Sequence, residues 1–514
     1  MKKNKTFYIT TPIYYPSDNL HIGHAYTTVA ADALARFGRL TGGEVWFLTG
    51  SDEHGQKIER AAQLVDESPQ EYVNRIVEGF QHLWNRLMIS NDDFIRTTEE
   101  RHKRAVQAVF QKLYERGDIY KAIYKGWYCT PCEAMWTEGR LKEGNCPDCG
   151  RPVEIVEEES YFFRMSRYAD RLLQYIEDNP EFIHPVSRRN EMVNFIKSGL
   201  EDLCVSRTTF GWGIPVPFDP SHVIYVWVDA LTNYISALGY GSQDERLFRK
   251  FWPADVHLVG KDIVRFHSII WPIILMAAGV ELPRQVMGHG WLLLESGKMS
   301  KSLGNVVDPL ALIDKYGVDA VRYYLLREVS FGADVYYTEK ALINRINKDL
   351  ANDLGNLVSR TLGMVEKYLG GEIGVPGLLC EVDRELVDLA ERVPGMVEEM
   401  MEKRDLSGAL ASIWQLVGRA NKYVDETAPW AVNRDPGQRD RLNGILYNLA
   451  ECLRFIGVLI SPFMPCTPSR IWSQLGIGEK QELHTWDSLT WGLLPAGLTV
   501  QRGEALFPRI DLAI

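Results

Sequence analysis

Positive charge, cysteine and long apolar runs are all scarce in this chain. Its 57 lysines and arginines are outnumbered by 68 aspartates and glutamates, for a formal net charge of −11. That excludes a protein that coats nucleic acid through bulk positive charge, while leaving room for a local basic surface. Eight cysteines in 514 residues exclude a disulfide scaffold. No apolar run reaches bilayer length: the longest candidate, Ser268–Val280, is too short and contains Pro272. The basic start, Met1–Pro12, lacks the apolar core of a secretory signal. There is neither an internal repeat nor a low-complexity tail. What remains, at 46% hydrophobic and 24% charged residues, is an ordinary soluble globular composition with room for two to four domains. Four tightly paired cysteines point to a metal in a reducing, cytoplasmic setting.

The chain then shows a rhythm. Residues 1–118 alternate strand-like stretches, such as "FYITTPIYY" and "EVWFLTGSDEHG", with apolar-striped helices, the pattern of a parallel α/β sheet. Short, turn-rich pieces with Tyr, Trp, Gly, Pro and Cys follow, and helical stretches come at 168–179 and 190–197, so 119–222 reads as an insertion. The α/β rhythm resumes over 223–292. A Gly-flanked lysine loop and a connecting region occupy 293–345, and 346–514 reads as a helical bundle interrupted by "LGGEIGVPGLL". The expected fold is therefore α/β: a Rossmann-type parallel sheet split by a zinc-knuckle insertion, followed by a C-terminal α-helical bundle.

Three motifs carry chemistry. In "YYPSDNLHIGHAYTT", His21 and His24 stand three apart at a strand-to-helix junction, where free N–H groups and a partial positive charge suit phosphate. Gly23 between them would let a nucleotide approach closely. The same pair could merely cap the helix, or form half of a metal site. In "LESGKMSKSLGN", Lys298 and Lys301 with Ser300 lie in a loop able to follow a polyphosphate whose charge changes during reaction. Finally, Cys129, Cys132, Cys146 and Cys149 form C-x2-C-x13-C-x2-C, whose four thiolates suit one closed, structural tetrahedral Zn2+. Cys204, Cys380, Cys452 and Cys466 are scattered.

His-Ile-Gly-His paired with Lys-Met-Ser-Lys-Ser resembles the signature of class I aminoacyl-tRNA synthetases. The stretches "GSDEHG", "YVWVDALTNY", "GKDIVRFHSIIWP", "GHGWLLLESGKMSKSLGNVVDP" and "ETAPW" together resemble the bacterial-type methionyl-tRNA synthetase family along essentially the whole chain. That resemblance implies activation of methionine by Mg2+-bound ATP, release of pyrophosphate, and transfer of methionine to the 3′ end of a methionine tRNA with a CAU anticodon. It implies catalytic roles for His21, His24, Lys298 and Lys301, and ATP contacts from these four with Gly23, Ser300 and His289. The implied methionine pocket is Ile13, Tyr15, Asp52, Trp227, Ala230, Leu231, Tyr234, Ile263 and His267, with Asp52 holding the α-ammonium; Leu231 stands where some members have proline. Tyr15 and His267 are the expected donors to the methionine sulfur, itself only a weak acceptor. In the bundle, Asn356 and Arg360, four apart on one helix face, and Trp430 match anticodon-reading positions.

Residues 346–514 hold 17 Lys+Arg against 23 Asp+Glu. An acidic bundle favours a few specific base contacts over bulk charge. The chain ends soon after "LFPRIDL", and the expectation is a monomer without a membrane partner. The rival readings are a cysteine synthetase, a small-molecule nucleotidyltransferase and a non-catalytic RNA-binding paralogue. The first would want its zinc thiolates beside the substrate, whereas the four-cysteine knuckle here already completes its own shell. The second would need neither an amino-acid pocket nor a bundle, and the third has no reason to keep both signature motifs.

Overall fold

Six strands form one parallel sheet: β1 (Thr6–Tyr14), β2 (Glu44–Ser51), β3 (Asp93–Arg96), β4 (Ile183–His184), β5 (Val256–Gly260) and β6 (Val286–His289). Their order is β3-β2-β1-β5-β6-β4. β1 is a central strand, paired with β2 (Phe7↔Val45) and β5 (Ile9↔Val256), and it is buried along most of its length as a strand covered on both faces must be. The structure, a computed structural model, describes residues 5–17, 19–132, 134–136, 138–147, 149–294, 297–298, 306–329 and 332–511.

The sheet is split as expected, but the expected 119–222 insertion is not one piece. β4 lies inside it and returns to the main sheet as an edge strand, with Val286↔Ile183 and Met287↔His184 in register. A two-residue strand has no alternation to read, which is why the pattern misses it. The rest of the insertion holds a four-stranded sheet built on the long hairpin Ile119–Cys129 and Glu154–Phe163. Helices Ala169–Asp178 and Val186–Lys197 fall where the apolar stripes place them.

Helices α1 (Ile22–Leu40), α2 (Glu100–Glu115) and α3 (Val226–Ser236) accompany the sheet, and α4 (Val318–Glu328) and α5 (Arg439–Ile460) follow it in the chain. α1 is alanine-rich and buried along nearly its whole length. The bundle packs helices 356–369, 381–402 and 406–427 with α5. α5 is apolar and long enough to cross a bilayer by composition, yet 94% of its apolar window is buried in the protein. There it carries a fully buried Glu451–Arg454 pair, 2.7 Å apart. One apolar core runs without a break from β1 and α1 to the bundle.

Polar bonds cross the same boundary. Arg322 on α4 is fully buried; it pairs with Asp32 of α1 at 2.7 Å and donates to the carbonyls of Leu87, Pro462 and Phe463 at 2.9–3.2 Å. The sheet domain and the bundle are thus tied at α1, the helix that His21 caps.

Candidate active site

β1 becomes irregular where Pro12 has no N–H for the ladder, and its register with β2 shifts between Thr10 and Ile13. Beyond that break, Ile13 and Tyr15 reach the wall of a cavity of about 440 Å3 at the carboxyl ends of the strands. α1 begins at the same cavity with His21, Gly23 and His24; β2 ends in Asp52; α3 contributes Trp227, Ala230, Leu231 and Tyr234; and Ile263, His267 and His289 complete the wall. Thirteen of the expected ATP- and methionine-contacting residues therefore line one cavity. His267 sits in a π-helical turn, Phe266–Ile270, just before Pro272, which cannot supply a helical N–H.

Ser300 and Lys301 lie outside the described residues. The backbone of Lys298 pairs with Leu293, next to the cavity residue Leu292. On the far side of the loop, Val307 accepts a bond from the N–H of Ile22 at 3.1 Å. One flank of the lysine loop thus follows the cavity wall at Leu292, and the other adjoins the start of α1.

The two signature histidines do two jobs at once. Nδ1 of His21 accepts the Gly23 N–H at 3.1 Å, and Nδ1 of His24 accepts the His21 N–H at 3.0 Å, together forming a capping box. A backbone N–H can only donate, so Nδ1 is the acceptor in both rings and each neutral imidazole carries its proton on Nε2. The rings lie side by side with centroids 3.9 Å apart. Capping the helix therefore also fixes both tautomers, with each ring's proton on Nε2. Gly23 has a nearer reason than nucleotide approach: a Cβ there would come within 2.9 Å of the His21 ring.

His289 is buried. Its Nδ1 donates to the Gly290 carbonyl (2.7 Å), which leaves Nε2 to accept from the Thr27 hydroxyl (2.7 Å). It clamps the end of β6 to the first turns of α1, and burial holds it below the usual histidine range, so it is neutral near pH 7.

The methionine-type positions make an aromatic, apolar end. Trp227 lies flat on Phe266, 3.6 Å between centroids and 9° between planes. The two expected sulfur donors are engaged with protein groups. Tyr15 donates to the His54 carbonyl at 2.9 Å. His267 donates from Nδ1 to the Ile263 carbonyl at 2.9 Å, so its Nε2 accepts from the Tyr234 hydroxyl at 2.6 Å. Burial lowers His267 to about 4. These competing partners are invisible in the sequence, since two are backbone carbonyls and the third is Tyr234, distant in the chain. The reading also missed Lys57, whose ammonium lies 5.0 Å over the Tyr15 ring, and Asp262, which accepts the Trp291 indole N–H at 3.1 Å. All three line the cavity. Asp262 and Trp291 fall inside "GKD" and "GHGW", but no spacing marks them.

The four knuckle cysteines do converge, with all four Sγ atoms within 4.8 Å of one another. Cys129 and Cys149 are 3.6 Å apart, far beyond a disulfide at about 2.05 Å and close to the roughly 3.8 Å edge of a ZnS4 tetrahedron with 2.3 Å bonds. The donor set fits Zn2+. The knuckle has its own small core of Cys129, Ala134, Trp136 and Cys146, and Cys132 and Cys149 reach the cavity wall. In the bundle, Asn356 is exposed, and Arg360 pairs at 2.8 Å with Asp425, near the end of the helix that leads into the turn carrying Trp430. Trp430 is 41% exposed, not a core residue.

A parallel sheet whose first helix opens on His-Ile-Gly-His, beside a cavity with an apolar end and a carboxylate, is the arrangement of a class I aminoacyl-tRNA synthetase. The comparisons agree. A family described as "tRNA synthetases class I (M)" matches residues 7–154 and 149–362, and "Anticodon binding domain of methionyl tRNA ligase" matches 376–512. The chain is 65% identical over 508 residues to the methionine–tRNA ligase of Caldanaerobacter subterraneus subsp. tengcongensis, covering 99% of this chain and 79% of that protein. It is 56% identical over 524 residues to that of Bacillus subtilis, again covering 99% and 79%. The Mycobacterium tuberculosis methionyl-tRNA synthetase in complex with methionyl-adenylate superposes with a TM-score of 0.94 at 43% identity, covering 98% of this chain and all of that one. The chain belongs to the methionyl-tRNA synthetase family.

Proposed function

We infer that this chain is a methionine–tRNA ligase working through the cavity described above. It activates methionine with ATP to methionyl-adenylate and pyrophosphate, then transfers methionine to the 3′ end of methionine tRNA. The single observation that supports the placement of the chemistry is the start of α1, where two helix-capping imidazoles with Nε2 protonated line the same cavity as the apolar and aromatic residues of α3.

In this reading the methionine side chain lies against Ile13, Trp227, Ala230, Leu231, Tyr234, Ile263 and His267. With Tyr15 and His267 committed to protein partners, sulfur is met by aromatic faces. Asp52 takes the α-ammonium. The methionine carboxylate attacks the α-phosphorus of ATP, and pyrophosphate leaves with its charge spread over Nε2–H of His21 and His24, the helix N-terminus, and Lys298 and Lys301. Gly23, His289 and Ser300 bound the nucleotide. Mg2+ enters with ATP and shares the phosphate charge. Cys129, Cys132, Cys146 and Cys149 would hold Zn2+, which would fix the fold of the knuckle within the insertion. Asn356, Arg360 and Trp430 read the CAU anticodon, with Trp430 as a stacking surface. The cytoplasmic setting, the monomeric state and the lack of a membrane partner remain part of this proposal.

The test is charging. With methionine, Mg2+-ATP and a tRNA bearing the CAU anticodon, the chain forms methionyl-tRNA. His21→Ala lowers the rate of adenylate formation, and an unchanged rate would remove the signature histidines from the chemistry.

A further inference from the structure

Behind the methionine end of the cavity lies a buried polar array that the chemistry above does not use. Asp229 is on α3, on the side away from the cavity, and is fully buried. One carboxylate oxygen bonds Nδ1 of His54 at 2.7 Å, and the other bonds Nε2 of His102 at 2.7 Å. His102, on α2, is also fully buried, and its Nδ1 meets the Ser236 hydroxyl at 2.8 Å. None of the three lines the cavity. Burial alone would raise the Asp229 pKa, but the His54 and His102 interactions outweigh it and hold the carboxyl below its ordinary value.

The array adds buried polar bonds between the loop after β2, α3 and α2, whose helices also pack through Val106, Val109, Leu231 and Ile235. His54 stands two residues after Asp52 in the loop that ends β2. Its carbonyl accepts the Tyr15 hydroxyl at 2.9 Å, and its ring packs edge-on against Trp212. Asp229 is on the helix that carries Trp227, Ala230, Leu231 and Tyr234. His102 fastens that helix to α2 from behind.

We propose that His102 is a remote positioning residue for methionine. Through Asp229 and His54 it fixes the spacing between the Asp52 loop and the Trp227 helix, the two walls that the amino acid must touch together. This rests on the placement of methionine given above. A buried carboxylate that loses one of two donors turns toward the other or toward water, because an unpaired buried charge is costly, and the two walls then separate. ATP contacts at α1 and His289 are built on other elements and stay in place.

The ring geometry supplies a clean test. Gln at 102 can keep an N–H where Nε2 bonds Asp229, whereas Asn reaches only the Ser236 side. His102→Asn is expected to raise KM for methionine in ATP–pyrophosphate exchange about tenfold, the scale of one charge-assisted hydrogen bond, with KM for ATP within about twofold. His102→Gln is expected to stay within about twofold of the parent for both substrates. Equal effects of Asn and Gln, or a matching rise in KM for ATP, would show a packing role and overturn the proposal. If His102→Asn does not fold, Asp229→Asn, which leaves only one acceptor for the two imidazoles, is expected to raise KM for methionine with KM for ATP within about twofold, and a matching rise in KM for ATP would overturn the proposal. Trp227→Ala, run alongside, separates the two readings: if it leaves KM for methionine unchanged, the placement of methionine is wrong, whereas a Trp227 effect without a His102 effect removes the array alone.

Discussion

Arg322→Met is the most informative perturbation of the fold. Met keeps most of the buried stem and deletes the guanidinium. Four partners lose it together: Asp32 and the carbonyls of Leu87, Pro462 and Phe463. Breaking one side of a buried ion pair costs about 3–5 kcal/mol. Asp32 is not left bare, since it still accepts from Arg36 at 2.7 Å and from the Ser90 N–H and hydroxyl at 2.7 and 2.6 Å. That argues for the lower end, and the orphaned carbonyls argue against going below it, so we expect about 3 kcal/mol lost, read as an earlier midpoint in urea denaturation at pH 7. The charge reasoning has its own control. Burial would raise Asp32, but Arg322 and Arg36 hold it below its ordinary carboxyl value. Removing the charge with Asp32→Asn in the Arg322→Met background should therefore recover part of the loss. A single variant within about 1 kcal/mol of the parent, or a double variant less stable than the single, would refute the account of this junction.

Three further outcomes follow from the structure. His257, His267 and His289 are buried and held below the usual histidine range by desolvation, His267 to about 4. Groups with depressed folded values contribute stability above pH 6.5 that is lost as pH falls toward 4, with roughly 3 kcal/mol from His267 alone; denaturation midpoints that stay flat from pH 7 to 5 would contradict this. Metal analysis of protein purified without chelator should find one Zn2+ per chain, and Cys146→Ser should lose it and loosen the insertion. Trp430→Ala should cost about 1–3 kcal/mol in tRNA charging while leaving exchange without tRNA near normal; equal loss in both would make Trp430 structural.

Much of the fold was legible because its signals are periodic. The strand-to-helix alternation marks the sheet, the apolar stripes after residue 345 mark the bundle, and the cysteine spacing marks the knuckle. β4 was not legible because two residues have no period, and α5 was passed over as an apolar span because Glu451 and Arg454 interrupt its run while pairing with each other. At the site, the motifs located the wall but not the hydrogen bonds behind it. That His21 and His24 cap with Nδ1, and that Tyr15 and His267 are already committed, depends on backbone groups that the pattern of side chains does not encode. Lys57 and Asp262 lacked any spacing to mark them, and the Asp229 array joins residues 54, 102 and 229 across three elements.

The measurement that bears most directly on the central claim is ATP–pyrophosphate exchange by the purified chain with each amino acid in turn. An apolar, aromatic pocket beside Asp52 and the capped histidine pair predicts exchange driven by methionine, saturating with methionine concentration, and little or none with cysteine or leucine. Exchange that responds to cysteine or leucine but not to methionine would contradict the account.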